Sequence, residues 1–240
     1  MENLTASLPS GKIISVTLDR KKMKTCRLKV YPDQTVVLSL PTGVSDAWAI
    51  EFIKEKSSWI EEKLEQYKKT VGYAATNVIR NGYSIRMLGE DLVFSVAQSR
   101  KMLIYQAGKL IHICSPDIDN QDKLLLQFET WWRNSSSEIL QQRLDLLYPI
   151  IEKYGVSKPH IHIRKMKTLW GSCSVNRGVV TFNQYLIKAK VPCIDYVVLH
   201  ELTHFLYPNH SKQFYNFISI HMPDWKERKT ILDQDVVHGL

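Results

Sequence analysis

Between Val197 and His210 the chain reads Val-Val-Leu-His-Glu-Leu-Thr-His-Phe-Leu-Tyr-Pro-Asn-His, and this stretch constrains the fold more than any other. Val197, Val198, Leu199, Phe205 and Leu206 make it apolar enough to be a buried helix of a soluble domain. Pro192 and Asp195 mark the start of that helix. Pro208 lacks an N–H and clashes with the preceding turn, so the chain is expected to leave the helix near Tyr207. On such a helix His200 and His204, at i and i+4, share a face with Cβ atoms about 6 Å apart. Both rings can then reach one ion at the usual Zn–N distance of about 2.0–2.1 Å. His210 follows the turn Tyr207-Pro208-Asn209 and completes a three-histidine set that leaves a fourth position for water, the open arrangement of catalytic zinc. Glu201, one residue round the helix from His200, falls outside the ligand set. It is near enough to take a proton from metal-activated water, the general-base geometry of a metallopeptidase. The plainer alternative is two histidines that happen to share a helix face, with His210 as a helix-end cap.

A second signature surrounds this helix. Trp170-Gly171-Ser172-Cys173-Ser174 precedes Gly178-Val179-Val180-Thr181-Phe182-Asn183. The helix, Asn209-His210-Ser211, and Met222-Pro223-Asp224-Trp225-Lys226-Glu227-Arg228 then follow. This order resembles the YgjP-like metallopeptidase domain family, strongly over about residues 150–235 and more weakly over the first half. The resemblance implies an α+β, zincin-like metallopeptidase domain with an amino-terminal β-rich portion. It also implies a family relationship to the SprT and WLM peptidases, His200, His204 and His210 as zinc ligands, and Glu201 as base. Leu169 departs from the pattern, because a basic residue is expected before Trp170.

Cys173 raises a rival chemistry, a thiolate nucleophile. A reactive cysteine needs a depressed pKa and an oriented base, and the nearby histidines are claimed by the zinc spacing. A buried structural cysteine is the expectation, with Gly171-Ser172-Cys173 making a tight turn or close strand packing beside the metal helix. His160 and His162 alternate on what reads as a strand, with no further ligand beside them, and are expected to be exposed or satisfied. Tyr185, Tyr207 and His221 are all candidates for stabilising an oxyanion.

The chain has 240 residues, 44% of them hydrophobic, enough for one large or two small domains. The expected division is a β-rich portion with one helix over residues 1–117 and a catalytic domain over 118–240. Strands are predicted near 13–18, 26–31 and 35–40, with a turn at Pro32-Asp33, then a helix from Asp46 to Lys69. A second β set is predicted over 79–113, with hairpin turns at Gly89-Glu90-Asp91 and Ala107-Gly108-Lys109. A long helix from Asp119 to about Tyr154, interrupted at Tyr148-Pro149, is expected to bury Leu125, Phe128, Trp132, Ile139, Leu140 and Leu144. Residues 179–182 are the expected edge strand, with which an extended peptide substrate would pair. Ser211 to His221 should form another helix, and Asp224 with Glu227 a capping box for the last one.

No apolar run reaches membrane-span length, and the start lacks a basic and apolar leader, so the expected location is cytoplasmic, with no membrane partner. Cys26, Cys114, Cys173 and Cys193 are scattered, without a C-x-x-C pair, and are expected to be reduced. The net charge is +8, and from Lys153 to Ile194 eight basic residues occur with no acidic one: Lys153, Lys158, Arg164, Lys165, Lys167, Arg177, Lys188 and Lys190. This basic zone, residues 153–194, is a candidate for sequence-independent nucleic-acid contact or for steering an acidic polypeptide. The reading is therefore a zinc-dependent peptidase acting on a polypeptide substrate. The alternative is a nucleic-acid-associated zinc protein, either a DNA-linked protease of SprT type or a non-catalytic binding module.

Overall fold

The computed structural model describes residues 2–31, 34–69, 78–166 and 169–235; the expected turn at Pro32-Asp33 and the basic residue Lys167 lie outside them. The chain divides into two compact units, Met1–Gly72 and Tyr73–Leu240, and the architecture is mixed α+β, the class the sequence predicts. The units part at 72/73, whereas the sequence reading divides the chain at 117/118. The reason is packing: Ile85, Phe94, Ile111 and Ile113 of the second β set share one core with Trp132, Leu140, Val198 and Leu202 of the helical part.

In the first unit, β1 (Glu2–Ser7), β2 (Ile13–Lys21), β3 (Arg27–Val30) and β4 (Val36–Pro41) form a sheet of order β1-β2-β4-β3. β1 precedes the first strand that the sequence predicts, near 13–18. Alternating Val16 and Leu18 on β2, and Val36, Leu38 and Leu40 on β4, turn one face inward, as the two-residue period of a strand requires. Two helices cover that core through Ala49, Ile53, Ile60 and Leu64. They are α1 (Asp46–Glu55) and α2 (Ser57–Lys69), where a single helix was expected. The break is at Lys56, whose backbone sits at φ −91° and ψ 3°, outside the helical well. Ser45 caps α1, its Oγ accepting from the Trp48 N–H at 3.3 Å.

The second unit opens with β5 (Ser84–Met87), β6 (Glu90–Gln98), β7 (Leu103–Ala107) and β8 (Leu110–Ser115), in the order β5-β6-β8-β7. Both four-stranded sheets thus share one topology, two antiparallel hairpins joined by a parallel central pair, a repetition with no counterpart in the sequence. The β5–β6 hairpin turns through Leu88 and Gly89, both at positive φ, the primed geometry that matches strand twist. Leu88 and Gly89 donate backbone N–H groups to the carbonyls of Ile187 and Lys188, at 2.6 and 3.3 Å. A methyl group on Gly89 would stand 2.6 Å from Lys190 Cγ, so glycine allows the hairpin to lie against the segment that leads into the metal helix.

α3 (Gln121–Leu147) ends at Tyr148, and the short α4 (Pro149–Glu152) follows, as the proline predicts. Leu124, Phe128, Trp132, Ser136, Leu140 and Leu144 make its buried stripe; Leu125 and Ile139 are only partly buried. Trp132 is a core residue, with its indole N–H donating to the Gln184 carbonyl at 3.0 Å.

The third sheet holds β9 (His160–Arg164), β10 (Gly171–Ser174) and β11 (Val179–Asn183), in the order β10-β11-β9. β11 is therefore the central strand, which corrects the expectation that residues 179–182 form an edge. Both of its sides are paired, antiparallel with β10 and parallel with β9. The metal helix α5 (Val191–Thr203), then α6 (Lys212–His221) and α7 (Trp225–Asp235), complete the unit. Asp195 of α5 receives a two-pronged pair from Arg143 of α3 at 2.6 and 2.7 Å. No described helix is long and apolar enough to cross a membrane.

Candidate metal centre

α5 is buried along almost its whole length, from Cys193 to Thr203, so its polar side chains are held where they are aimed. It ends at Thr203, earlier than Pro208 alone demands. His204 occupies the C-cap with helical φ and ψ, so His200 and His204 stay on one face, their ring centroids 5.0 Å apart. The chain then turns through Pro208 and brings His210 back, with Nε2 2.9 Å from His200 Nε2. Among the described residues, these three histidines are the one group of His, Cys, Asp or Glu that could hold a metal ion, with one potential ligand atom from each all within 4.8 Å of one another.

The donor set fits a metal. Burial, reinforced by the two neighbouring rings, holds His200 down to about 3, and burial also lowers His204, so these rings present neutral lone pairs at neutral pH. His204 Nδ1 contacts the Tyr207 carbonyl at 3.2 Å; a carbonyl only accepts, so Nδ1 carries the proton and Nε2 is left as the donor atom, a common device for orienting metal-binding imidazoles. His200 Nδ1 is buried without a hydrogen-bond partner, so the polar character of this ring is answered only at Nε2, the nitrogen facing His210. Phe214 of α6 lies under all three rings at centroid distances of 4.9, 4.7 and 4.8 Å. Sequence reasoning missed it: a phenylalanine on an amphipathic helix carries no signal of what it touches.

Glu201 is 5% exposed, and burial pushes its carboxyl up to about 8. It lies against Gly171 of β10, where a methyl group would stand 2.6 Å from its Oε1. Gly171 therefore serves close packing beside the metal helix, one of the two roles expected of it. Glu201 and the three histidines share a cleft of about 710 Å3, whose apolar wall includes Leu169, Trp170, Val175, Val197 and Leu232. Leu169, where a basic residue was expected, is 55% exposed on that wall.

Cys173 also lines the cleft, and burial with the nearby Glu201 pushes its thiol up to about 12, the reverse of what a nucleophile needs. Tyr185, Tyr207 and His221 are absent from the cleft lining. Tyr185 lies beneath the Lys188 ammonium, while Tyr207 and His221 pack on Phe217. Tyr196 stands in the cleft instead, and burial raises its phenol, so its proton is retained. His160 and His162 are exposed on β9 and outside the histidine cluster. The expected capping box at α7 is replaced by an ion pair: the Asp224 carboxylate accepts from Arg228 Nε at 2.9 Å.

The basic zone is dispersed. Lys158 pairs with Asp145 at 3.0 Å and Lys165 with Glu129 at 2.5 Å, while Lys188 is 3% exposed. Arg164 is exposed and, with Arg133 of α3, lines a polar cleft of about 600 Å3.

No curated protein matches this chain. Among solved structures it is similar to the metallopeptidase zymogen jannalysin of Methanocaldococcus jannaschii, at 22% identity over 38% of this chain and 90% of that one, with a TM-score of 0.33. It is also similar to the metallopeptidase zymogen abylysin of Pyrococcus abyssi, at 22% identity over 41% of this chain and 99% of that one, with a TM-score of 0.35. The YgjP-like metallopeptidase domain model matches residues 24–235, and the chain belongs to that family.

Proposed function

We propose that this protein is a zinc-dependent peptidase in which His200, His204 and His210 hold the metal and Glu201 is the general base. The observation that carries the reading is the meeting, in one cleft, of three imidazoles with potential ligand atoms within 4.8 Å and the buried carboxyl of Glu201, next to His200 on α5. A zinc ion bound there supplies Lewis acidity, polarising the scissile carbonyl and making water acidic enough to attack near neutral pH. Glu201 takes the proton of the attacking water and delivers it to the leaving amide nitrogen. Its placement against Gly171 keeps the carboxyl from swinging away between the two transfers. An extended polypeptide aligns along β10, which ends its sheet and lines the cleft, with main-chain pairing supplying affinity independent of side-chain identity. A cytoplasmic location belongs to the same proposal, supported by four free cysteines.

Elemental mass spectrometry of tag-free protein tests the metal. About one zinc per chain is expected, lost or weakened in His210→Ala; no zinc in wild type after reconstitution would overturn the reading. Glu201→Gln is expected to keep zinc and fold while abolishing peptide hydrolysis. Activity surviving that change would sink the assigned base.

A second reading, sequence-independent nucleic-acid binding, is favoured by Arg133 and Arg164, which line one cleft with no ion pair among the described residues. Phosphate contacts of this kind weaken steeply with salt. Titration with duplex DNA at two ionic strengths checks it, and binding indifferent to salt, or none, counts against it.

A further inference from the structure

We propose that Tyr215 and Trp225 are positioning residues that hold His210 in register with the two helix-borne histidines. The inference rests on the reading of the three histidines as zinc ligands, and it assigns a task to the Met222–Arg228 stretch that the reaction leaves unused.

His200 and His204 are fixed by a buried helix, whereas His210 is an exposed residue beyond Pro208. A ligand on such a segment needs its ring oriented before metal arrives, or affinity is lost to the ordering of that ring. Phe214 meets the His210 ring edge-on at 4.8 Å, and on another side the ring is met by a column of near-parallel rings. The His210 ring stacks on Tyr215 at 6.1 Å and 24°, Tyr215 on Trp225 at 5.1 Å and 19°, and Trp225 on Tyr196 at 6.2 Å and 15°. The column thus begins on α5, one turn before His200, crosses α7 and α6, and ends on the third histidine.

Trp225, the third ring from His210, is locked in place. The Trp225 indole N–H donates to Ser219 Oγ at 2.9 Å, and the ring is 9% exposed. Three residues on, Arg228 donates to the Pro192 carbonyl at 3.2 Å and to Asp224 at 2.9 Å, tying the first turn of α7 to the start of α5. The loop histidine is therefore referenced to the helix that carries its two partners. Tyr215, 36% exposed, is the link whose replacement disturbs packing least. Partners of this outer kind typically cost 10–100-fold in metal affinity when removed.

The test measures the zinc dissociation constant of the full chain by chelator competition, with the unfolding midpoint of each metal-free protein alongside. Tyr215→Phe keeps the ring and is expected to bind zinc within about twofold of wild type. Tyr215→Leu keeps apolar volume but not the stack, and is expected to bind roughly tenfold more weakly. The visible spectrum of its cobalt-substituted form should change as well, since the bands follow coordination geometry. Trp225→Phe should likewise outperform Trp225→Leu. A purely structural role would lower the midpoint of Tyr215→Leu while leaving its zinc affinity and cobalt spectrum at wild-type values, and that result overturns the proposal. Wild type failing to bind zinc would instead remove the three-histidine reading, and the positioning role with it.

Discussion

Gly171 and Glu201 are in direct contact: a methyl group on the glycine would stand 2.6 Å from Oε1, 2.7 Å from Cγ and 2.9 Å from Cδ of the glutamate. Real Cβ atoms do not approach so closely, and Glu201 is buried, so the carboxyl would have to move. Gly171→Ala is therefore expected to retain zinc but lose peptide hydrolysis by about 100-fold, the scale of a displacement of about 1 Å at a reacting group. Zinc content and kcat/KM of the same preparation check this, and unchanged kcat/KM would show that the contact does not set the position of the base.

The Arg143–Asp195 pair ties α3 to the metal helix, with the two side chains 26% and 14% exposed. Removing one partner strands a charge that is largely out of water, so Arg143→Leu is expected to destabilise by about 2–3 kcal/mol, somewhat below the value for fully buried pairs. Arg143→Leu with Asp195→Leu should recover part of that loss. Urea unfolding of both variants measures it, and equal losses in the single and double variants would mean that the pair contributes packing alone.

Cys173 lines the cleft with its thiol pushed up to about 12. The native protein at pH 8 is therefore expected to leave Cys173 unmodified by iodoacetamide, because only the thiolate attacks. Cys173→Ser should keep hydrolysis within a few-fold of wild type. Loss of activity on the scale of Glu201→Gln would reinstate the thiol as a participant.

The site was legible wherever its information is local. The spacing of His200 and His204 is a helix period, Pro208 forces the turn that returns His210, and Pro149 ends the long helix where the structure ends it. The unforeseen features depend on distant segments. Whether residues 179–182 lie at an edge depends on pairing with both 171–174 and 160–164, and no pattern within β11 records its neighbours. The basic zone read as one charged stretch because Asp145 and Glu129, which neutralise Lys158 and Lys165, sit on α3, outside the stretch. Phe214 carries no local signal of what it touches, because that depends on what α6 is packed against, and which of its two expected roles Gly171 serves is decided by the approach of β10 to Glu201.

Lys188 offers a test by pH. Its side chain is buried, Nζ lies 4.9 Å from the centre of the Tyr185 ring, and burial drives its ammonium from 10.5 down to about 8. Below pH 8 both folded and unfolded chains carry the charge, and the penalty of burying it is fully present. Between about 8 and 10.5 the folded chain releases the proton while the unfolded chain keeps it, so stability rises with pH across that window. A difference of 10.5 − 8 = 2.5 corresponds to roughly 3 kcal/mol. Lys188→Met, which keeps the length of the side chain and removes the charge, is expected to be more stable than wild type at pH 7 and to lose the advantage by about pH 10. Urea unfolding of the two proteins at pH 7 and pH 10 measures the difference, and a gap independent of pH would show that the ammonium keeps its ordinary affinity for the proton in the folded chain.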